Sequence, residues 1–272
     1  MLKIKDYKRI ARDARKKIVI MHSRSNSSHI GSAFSVVEIL VSLYFCIMRI
    51  KPDDPCWEGR DRFILSKGHA ASALYAVLAL KGFFPENILD TYAIDGGKLF
   101  GHVTKDVVPG AETSTGSLGH GLSIGAGMAI AGKYDKRKFR VFVLMSDGEC
   151  DEGAIWETAL FASHHKLDNL VAIIDYNKLQ SFGRTNEVVN LEPLAKKWEA
   201  FGWAVREVDG HSFPRLIRIF SSIPLQRYKP NLIIAHTIKG KGISFMENKL
   251  EWHYKSPDET HLAMALNELK IK

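Results

Sequence analysis

Two apolar runs in this sequence end in hard oxygen donors. The first, Val141 to Met145, leads into Ser146-Asp147-Gly148-Glu149. The second, Leu170 to Ile174, leads into Asp175-Tyr176-Asn177. Short apolar runs bounded by turn residues predict buried strands, and the segment between them, Gly153 to Lys166, has helix-forming composition. The resulting strand-helix-strand unit carries an acid at one strand tip and an amide just after the next. Open parallel sheets bind ligands at that carboxyl edge. A carboxylate, an amide oxygen and nearby backbone carbonyls suit Mg2+ when a diphosphate completes the shell.

Other residues of chemical interest lie in loops. His29 follows Ser28 and precedes Ile30-Gly31-Ser32, His69 ends Ser66-Lys67-Gly68-His69, His102 follows Phe100-Gly101, and His253 follows Trp252. A neutral imidazole passes protons near pH 7, and a protonated one stabilises an anion. Thr115-Gly116-Ser117-Leu118-Gly119-His120-Gly121 leads into a small-residue helix, Ser123 to Ala131. Glycines before a helix start let backbone amides approach a phosphate, although a tight turn with close packing explains them equally well. Lys239 and Lys241 flank Gly240, where a solvated turn is the ordinary reading. Cys150 lies beside the acidic loop with no triad partner pattern.

These residues need a scaffold. Helical patterns cover Tyr7–Ser23, Ser35–Met48, Ala70–Lys81, Gly121–Gly132, Gly153–His165, Leu191–Phe201, Phe213–Ser221 and Asp258–Glu268. Strand patterns cover Phe63–Leu65, Arg140–Met145, Leu170–Asp175, Ala204–Val208 and Asn231–His236. The alternation predicts an α/β fold, a doubly wound parallel sheet with helices on both faces. Asp95 to Gly121 reads as a long loop, the kind that is usually functional or disordered. No repeat interrupts residues 1–272, which read as a single domain.

Bulk properties narrow the function. The chain has 272 residues, 46% hydrophobic and 25% charged, as ordinary globular proteins do. No apolar run approaches a membrane span. The basic start is broken by Asp6 and Asp13, unlike a transit peptide, and reads as a solvated amphipathic helix. Cys46, Cys56 and Cys150 form no metal-type pair or disulfide framework, so a reducing cytoplasmic setting is expected. The net charge of +8 favours anionic ligands. No dense basic block with interleaved aromatics and no zinc-finger spacing points to nucleic acid.

The segment from Ser146 to Gln180 resembles the thiamine diphosphate motif, with Ser146 in place of its first Gly. Within that class it resembles transketolase, through Glu152, Gly153, Trp156, Glu157, Ala159, Asp168, Asn169, Leu170, Asp175, Asn177 and Gln180. The four histidine segments, the Thr115 to Gly121 loop and the His236 to Gly242 loop also resemble that family. His120 stands where Gln is common, Val103-Thr104 replaces Pro-Glu after His102, and Tyr254 replaces Gly after His253.

The resemblance implies that Asp147, Asn177 and the Leu179 carbonyl bind Mg2+. It implies cofactor contacts from His69, Gly116, Ser117, Leu118, Gly148, Glu149, Asn177, Lys239 and His253, and catalytic roles for His29, His69 and His102. It covers only the amino-terminal, diphosphate-binding part of a full-length transketolase. A pyrimidine-binding domain is then expected on a separate carboxyl-terminal subunit, in an α2β2 assembly. Two-carbon ketol transfer between sugar phosphates is the implied reaction, with thiamine diphosphate and Mg2+. The alternatives are the first subunit of a 2-oxo acid dehydrogenase and a silent cofactor-binding subunit.

Overall fold

Five apolar runs pair into one parallel sheet in the order β1-β2-β3-β5-β4. They are β1 (Arg62–Leu65), β2 (Val141–Ser146), β3 (Leu170–Tyr176), β4 (Ala204–Asp209) and β5 (Asn231–His236). The computed structural model describes residues 2–271. β2 and β3 are almost wholly buried because helices cover both faces, which is why they read as continuous apolar runs rather than alternating ones.

Side chains still alternate between the two faces. Phe142, Leu144, Val171, Ile173 and Ile233 enter one core, while Val143, Met145, Ala172, Ile174 and Leu232 enter the other. The helices are α1 (Ile4–Ser25), α2 (Ile30–Ser35), α3 (Val37–Ser42), α4 (Ala71–Lys81), α5 (His120–Tyr134), α6 (Gly153–His164), α7 (Thr185–Val188), α8 (Leu194–Ala200), α9 (Phe213–Ser221) and α10 (Glu259–Ile271). Residues of α1 to α4, α9 and α10 build the first core; those of α5, α6 and α8 build the second. Every residue of α4 from Ala71 to Ala79 is buried, as its apolar composition on all sides requires.

The strand register positions the site. Ser146 lies opposite Asp175, and Tyr176 lies opposite His236. Asp147, Asn177 and Thr237 therefore leave three adjacent strands at nearly one level. Residues 95–119 form the long loop expected, pinned near its start by an isolated bridge between Tyr92 and Leu99.

The boundaries differ where local chemistry intervenes. The single helix expected over Ser35–Met48 is broken at Val36, whose φ of -103° and ψ of 2° separate α2 from α3, and its end is a π-helical turn, Leu43–Ile47. The helix expected from Leu191 begins at Leu194 because Pro193 precedes it and biases Glu192 towards extended backbone. Among the described residues, no helix is long and apolar enough to cross a membrane.

Candidate active site

The loops after β1, β2, β3 and β5 enclose a cleft of about 320 Å³. A larger hollow of about 610 Å³ lies along β4 and α9, at the far edge of the sheet, and none of the residues discussed below lines it. The smaller cleft is the candidate because buried charges and imidazoles converge on it.

Asp147 follows the last residue of β2, with 1% of its surface exposed. One carboxylate oxygen accepts from Gly148 N–H (2.8 Å) and the other from Lys178 N–H (2.6 Å). Burial, and then the neighbouring Asp175 charge, push its pKa up to about 6. Among the described residues it forms no ion pair, and the nearby Lys67 charge offsets only part of this rise. Asn177 donates to Asp175 (3.0 Å), which orients the amide, and its Oδ1 accepts from Leu179 N–H (3.0 Å). Lys178 sits in the left-handed region at φ 64° and turns the chain here. The Leu179 and Gln180 carbonyls then accept from the Lys239 ammonium at 3.0 and 3.2 Å. Ser146 ends β2 without a positive φ, so replacing glycine there costs no backbone strain.

Two ammonium groups are buried at the cleft. Lys67 pairs with Asp175 at 2.5 Å, and neither is exposed at all. Asp175 also accepts from Ser35 (2.7 Å) and from the Thr237 hydroxyl. Burial works to raise the Asp175 pKa, but Lys67 and these donors hold it below its usual value. Lys239, 1% exposed, forms no ion pair with a carboxylate among the described residues. Burial, and then Lys67, lower its pKa to about 8. The solvated-turn reading of Lys239 is therefore wrong. A buried cation without a countercharge is costly unless a ligand supplies one.

The structure gathers the four histidines. The His29 ring lies 5.2 Å from His69, 5.9 Å from His102 and 4.9 Å from His253. Burial lowers every pKa in the group. His29, also facing His102, falls to about 4, and His253, beside Lys239, falls to about 3. His69, near Lys67, lies well below the usual value, and His102 lies below it. All four are neutral at pH 7, so the lysines, and not imidazolium groups, carry the positive charge. Lys239 donates to His253 Nδ1 at 2.8 Å, which leaves Nε2 of that ring as the N–H. His29 adopts φ 77° at the start of α2, held by its N–H bond to the His253 carbonyl (2.7 Å).

The glycine-rich loop is only partly in the cleft. Gly116 and Leu118 line it, as do Gly148 and Tyr254. Ser117, expected to contact a cofactor, instead lines a hollow on the outer side of the turn, together with His120. Glu149, also expected at the cofactor, is fully buried outside the cleft. Its carboxylate accepts from Ser146 N–H (2.8 Å), Gly119 N–H (3.0 Å) and the Ser66 hydroxyl. Those donors satisfy both oxygens, so Glu149 staples three loops together. Gly119 is required in that staple: it sits at φ 84°, and a Cβ there would lie 2.8 Å from Glu152 Cβ.

Sequence patterns do not single out Lys67; its one signal is its position two residues after an apolar strand run. The donor set nevertheless has a clear chemistry. One buried carboxylate, an amide oxygen and a carbonyl suit a hard dication whose other ligands are phosphate oxygens and water. Among the described residues, no group of three His, Cys, Asp or Glu is placed to hold a metal ion. The Lys239 ammonium, without a carboxylate partner among the described residues, suits the phosphates themselves.

Comparison with known proteins gives the same chemistry. Residues 8–269 match the family model described as "Transketolase, thiamine diphosphate binding domain". The chain is 47% identical over 255 residues to one subunit of the apulose-4-phosphate transketolase of Phocaeicola vulgatus, covering 94% of this chain and 90% of that one. It is 45% identical over 242 residues to the 6-deoxy-6-sulfo-D-fructose transketolase subunit SqwG of a Clostridium species, covering 89% and 88%. The solved transketolase of Campylobacter jejuni superposes with a TM-score of 0.93 at 28% identity, covering 99% of this chain and 43% of that one. The chain thus spans less than half the length of that solved protein.

Proposed function

Because this chain belongs to the transketolase thiamine diphosphate-binding family, we propose that it is the amino-terminal half of a split transketolase. In this reading it takes part in moving a two-carbon ketol unit from a ketose to an aldose. One observation carries the reading. Asp147, Asn177 and the Leu179 carbonyl share a single cleft with two buried ammonium groups and four neutral imidazoles. Bound there, thiamine diphosphate supplies the carbon nucleophile and electron sink that allow the bond beside a ketose carbonyl to break.

The chain's own residues do the rest. Asp147, the Asn177 side chain and the Leu179 carbonyl hold Mg2+. Lys239 and the Nε2–H of His253 hold the diphosphate, and Gly148 lies beside it. Gly116 and Leu118 form the wall against the cofactor. His29, His69 and His102 bind the sugar hydroxyls, and as neutral rings they take up and return protons there without a large electrostatic cost.

The pyrimidine-binding domain is assigned to a separate subunit, with the active site between the two chains of an α2β2 assembly. Support comes from coverage: the chain spans nearly all of relatives named as subunits, but under half of the solved transketolase. The relatives' names specify ketoses with a phosphate or sulfonate end, so a ketose with an anionic tail is the proposed donor class.

The test is reconstitution with a separate chain that carries the pyrimidine-binding domain. With Mg2+, thiamine diphosphate, a ketose phosphate donor and an aldose acceptor, transfer is expected only when both chains are present. Full turnover by this chain alone would overturn the split. Pyruvate decarboxylation with an artificial electron acceptor, in place of ketol transfer, would favour a 2-oxo acid dehydrogenase.

A further inference from the structure

Lys239 enters the cleft from the loop after β5, and that loop is gripped from behind on both sides of the lysine. His211 Nε2 accepts from the Ile238 N–H at 2.9 Å. Arg15 Nε donates to the Lys241 carbonyl at 2.7 Å. Glu38 joins the two grips: it receives both terminal nitrogens of Arg15, at 2.7 and 2.8 Å, and His211 Nδ1 at 2.9 Å. Arg15 and Glu38 are 5% and 7% exposed, and none of the three residues lines the cleft.

The hydrogen-bond chemistry allows one arrangement. A backbone N–H can only donate, so the Nε2 facing Ile238 is the acceptor. The imidazole proton therefore sits on Nδ1 and is donated to Glu38. Arg15 supplies a bidentate, charge-assisted pair that keeps the Glu38 carboxylate oriented for this role. Glu38, His211 and Ile238 are far apart in sequence, so the contact exists only in the folded chain.

We propose that His211 is a positioning residue for Lys239. By fixing the Ile238 amide it sets the direction from which the lysine enters, and so holds the ammonium against the Leu179 carbonyl and His253. The proposal rests on reading the cleft as the diphosphate site.

Two near-isosteric substitutions separate this role from simple packing. His211→Gln keeps an acceptor near the Nε2 position. His211→Asn keeps a donor near the Nδ1 position and leaves Ile238 without an acceptor. Thiamine diphosphate affinity is measured by calorimetry with Mg2+ on the chain reconstituted with its complementary subunit. The Gln variant is expected to bind within about 3-fold of wild type, and the Asn variant about 10-fold more weakly, as for one lost buried bond. Melting temperatures of the two variants are expected to fall alike. Equal affinities for the two variants would overturn the proposal and leave His211 a packing residue.

Amide exchange at Ile238 in this chain alone provides a ligand-free readout. It is expected to be faster in the Asn variant than in the Gln variant, and equal rates would overturn the grip itself. If the exchange difference appears while the wild-type complex binds no cofactor, the reading of the cleft fails and the grip stands.

Discussion

Asp147 and Lys239 are both buried in one cleft and form no ion pair with each other, an arrangement that serves a ligand better than it serves the fold. Asp147→Asn removes the anionic metal ligand while keeping its shape. Its Mg2+ affinity is expected to fall by more than the roughly 100-fold that loss of an outer-shell partner can cost. Mn2+ titration followed by electron paramagnetic resonance measures this, and unchanged affinity would remove Asp147 from the metal site. Lys67 plays a different part, because its charge is neutralised by Asp175. Lys67→Met leaves that carboxylate buried without its cation and is expected to cost about 3–5 kcal/mol of stability. Adding Asp175→Asn is expected to restore part of the loss in urea denaturation. A double variant no more stable than the single one would mean that the ion pair is not the source of the effect.

At the scale of elements, the site depends on loops tied to one another. Glu149 joins the ends of β1 and β2 to the turn before α5. Gly119→Ala is expected to destabilise the fold by about 1–3 kcal/mol, because its left-handed backbone and the contact with Glu152 both resist a Cβ. A shift in the urea midpoint measures it, and none would mean that the turn can relax. The break between α2 and α3 also belongs to the site, since it falls directly after Ser35, whose hydroxyl reaches Asp175. Outward, α6 exposes Leu160 at 60% and Phe161 at 42%, large apolar groups that the chain leaves uncovered. Leu160→Glu is expected to weaken the association of the two kinds of chain, measured by sedimentation of the reconstituted complex. An unchanged assembly would place the contact between subunits elsewhere.

The whole molecule inherits a pH dependence from its buried imidazoles. His22, which does not line the cleft, meets the Ser27 carbonyl with Nδ1 at 3.0 Å and the Ser72 hydroxyl with Nε2 at 2.9 Å. Burial lowers its pKa to about 4, and His29 is likewise lowered to about 4. At these two rings the unfolded chain therefore binds more protons than the folded one between pH 6.5 and about 4, so their contribution to stability falls as pH drops through that window, while Asp147, raised to about 6, offsets part of the loss. His22, fully buried, contributes at most about 3 kcal/mol of this loss. Urea midpoints at about pH 7, 5.5 and 4.5 are expected to decrease in that order, and a flat series would mean that these rings are protonated in the native state.

Much of this architecture was legible in one dimension. The five strands, their parallel arrangement and most helices follow from periodicity and turn chemistry, which are local. The acid and the amide at adjacent strand tips were legible for the same reason: strand ends and side-chain type are properties of short segments. What only the tertiary structure decided involves partners distant in the chain. The Lys67–Asp175 and His211–Glu38 contacts span 108 and 173 residues. Burial of Lys239, neutrality of the histidines and the outward placement of Ser117 and Glu149 depend on which segments come together. Desolvation and hydrogen-bond supply are set by those neighbours, and no window of sequence contains them.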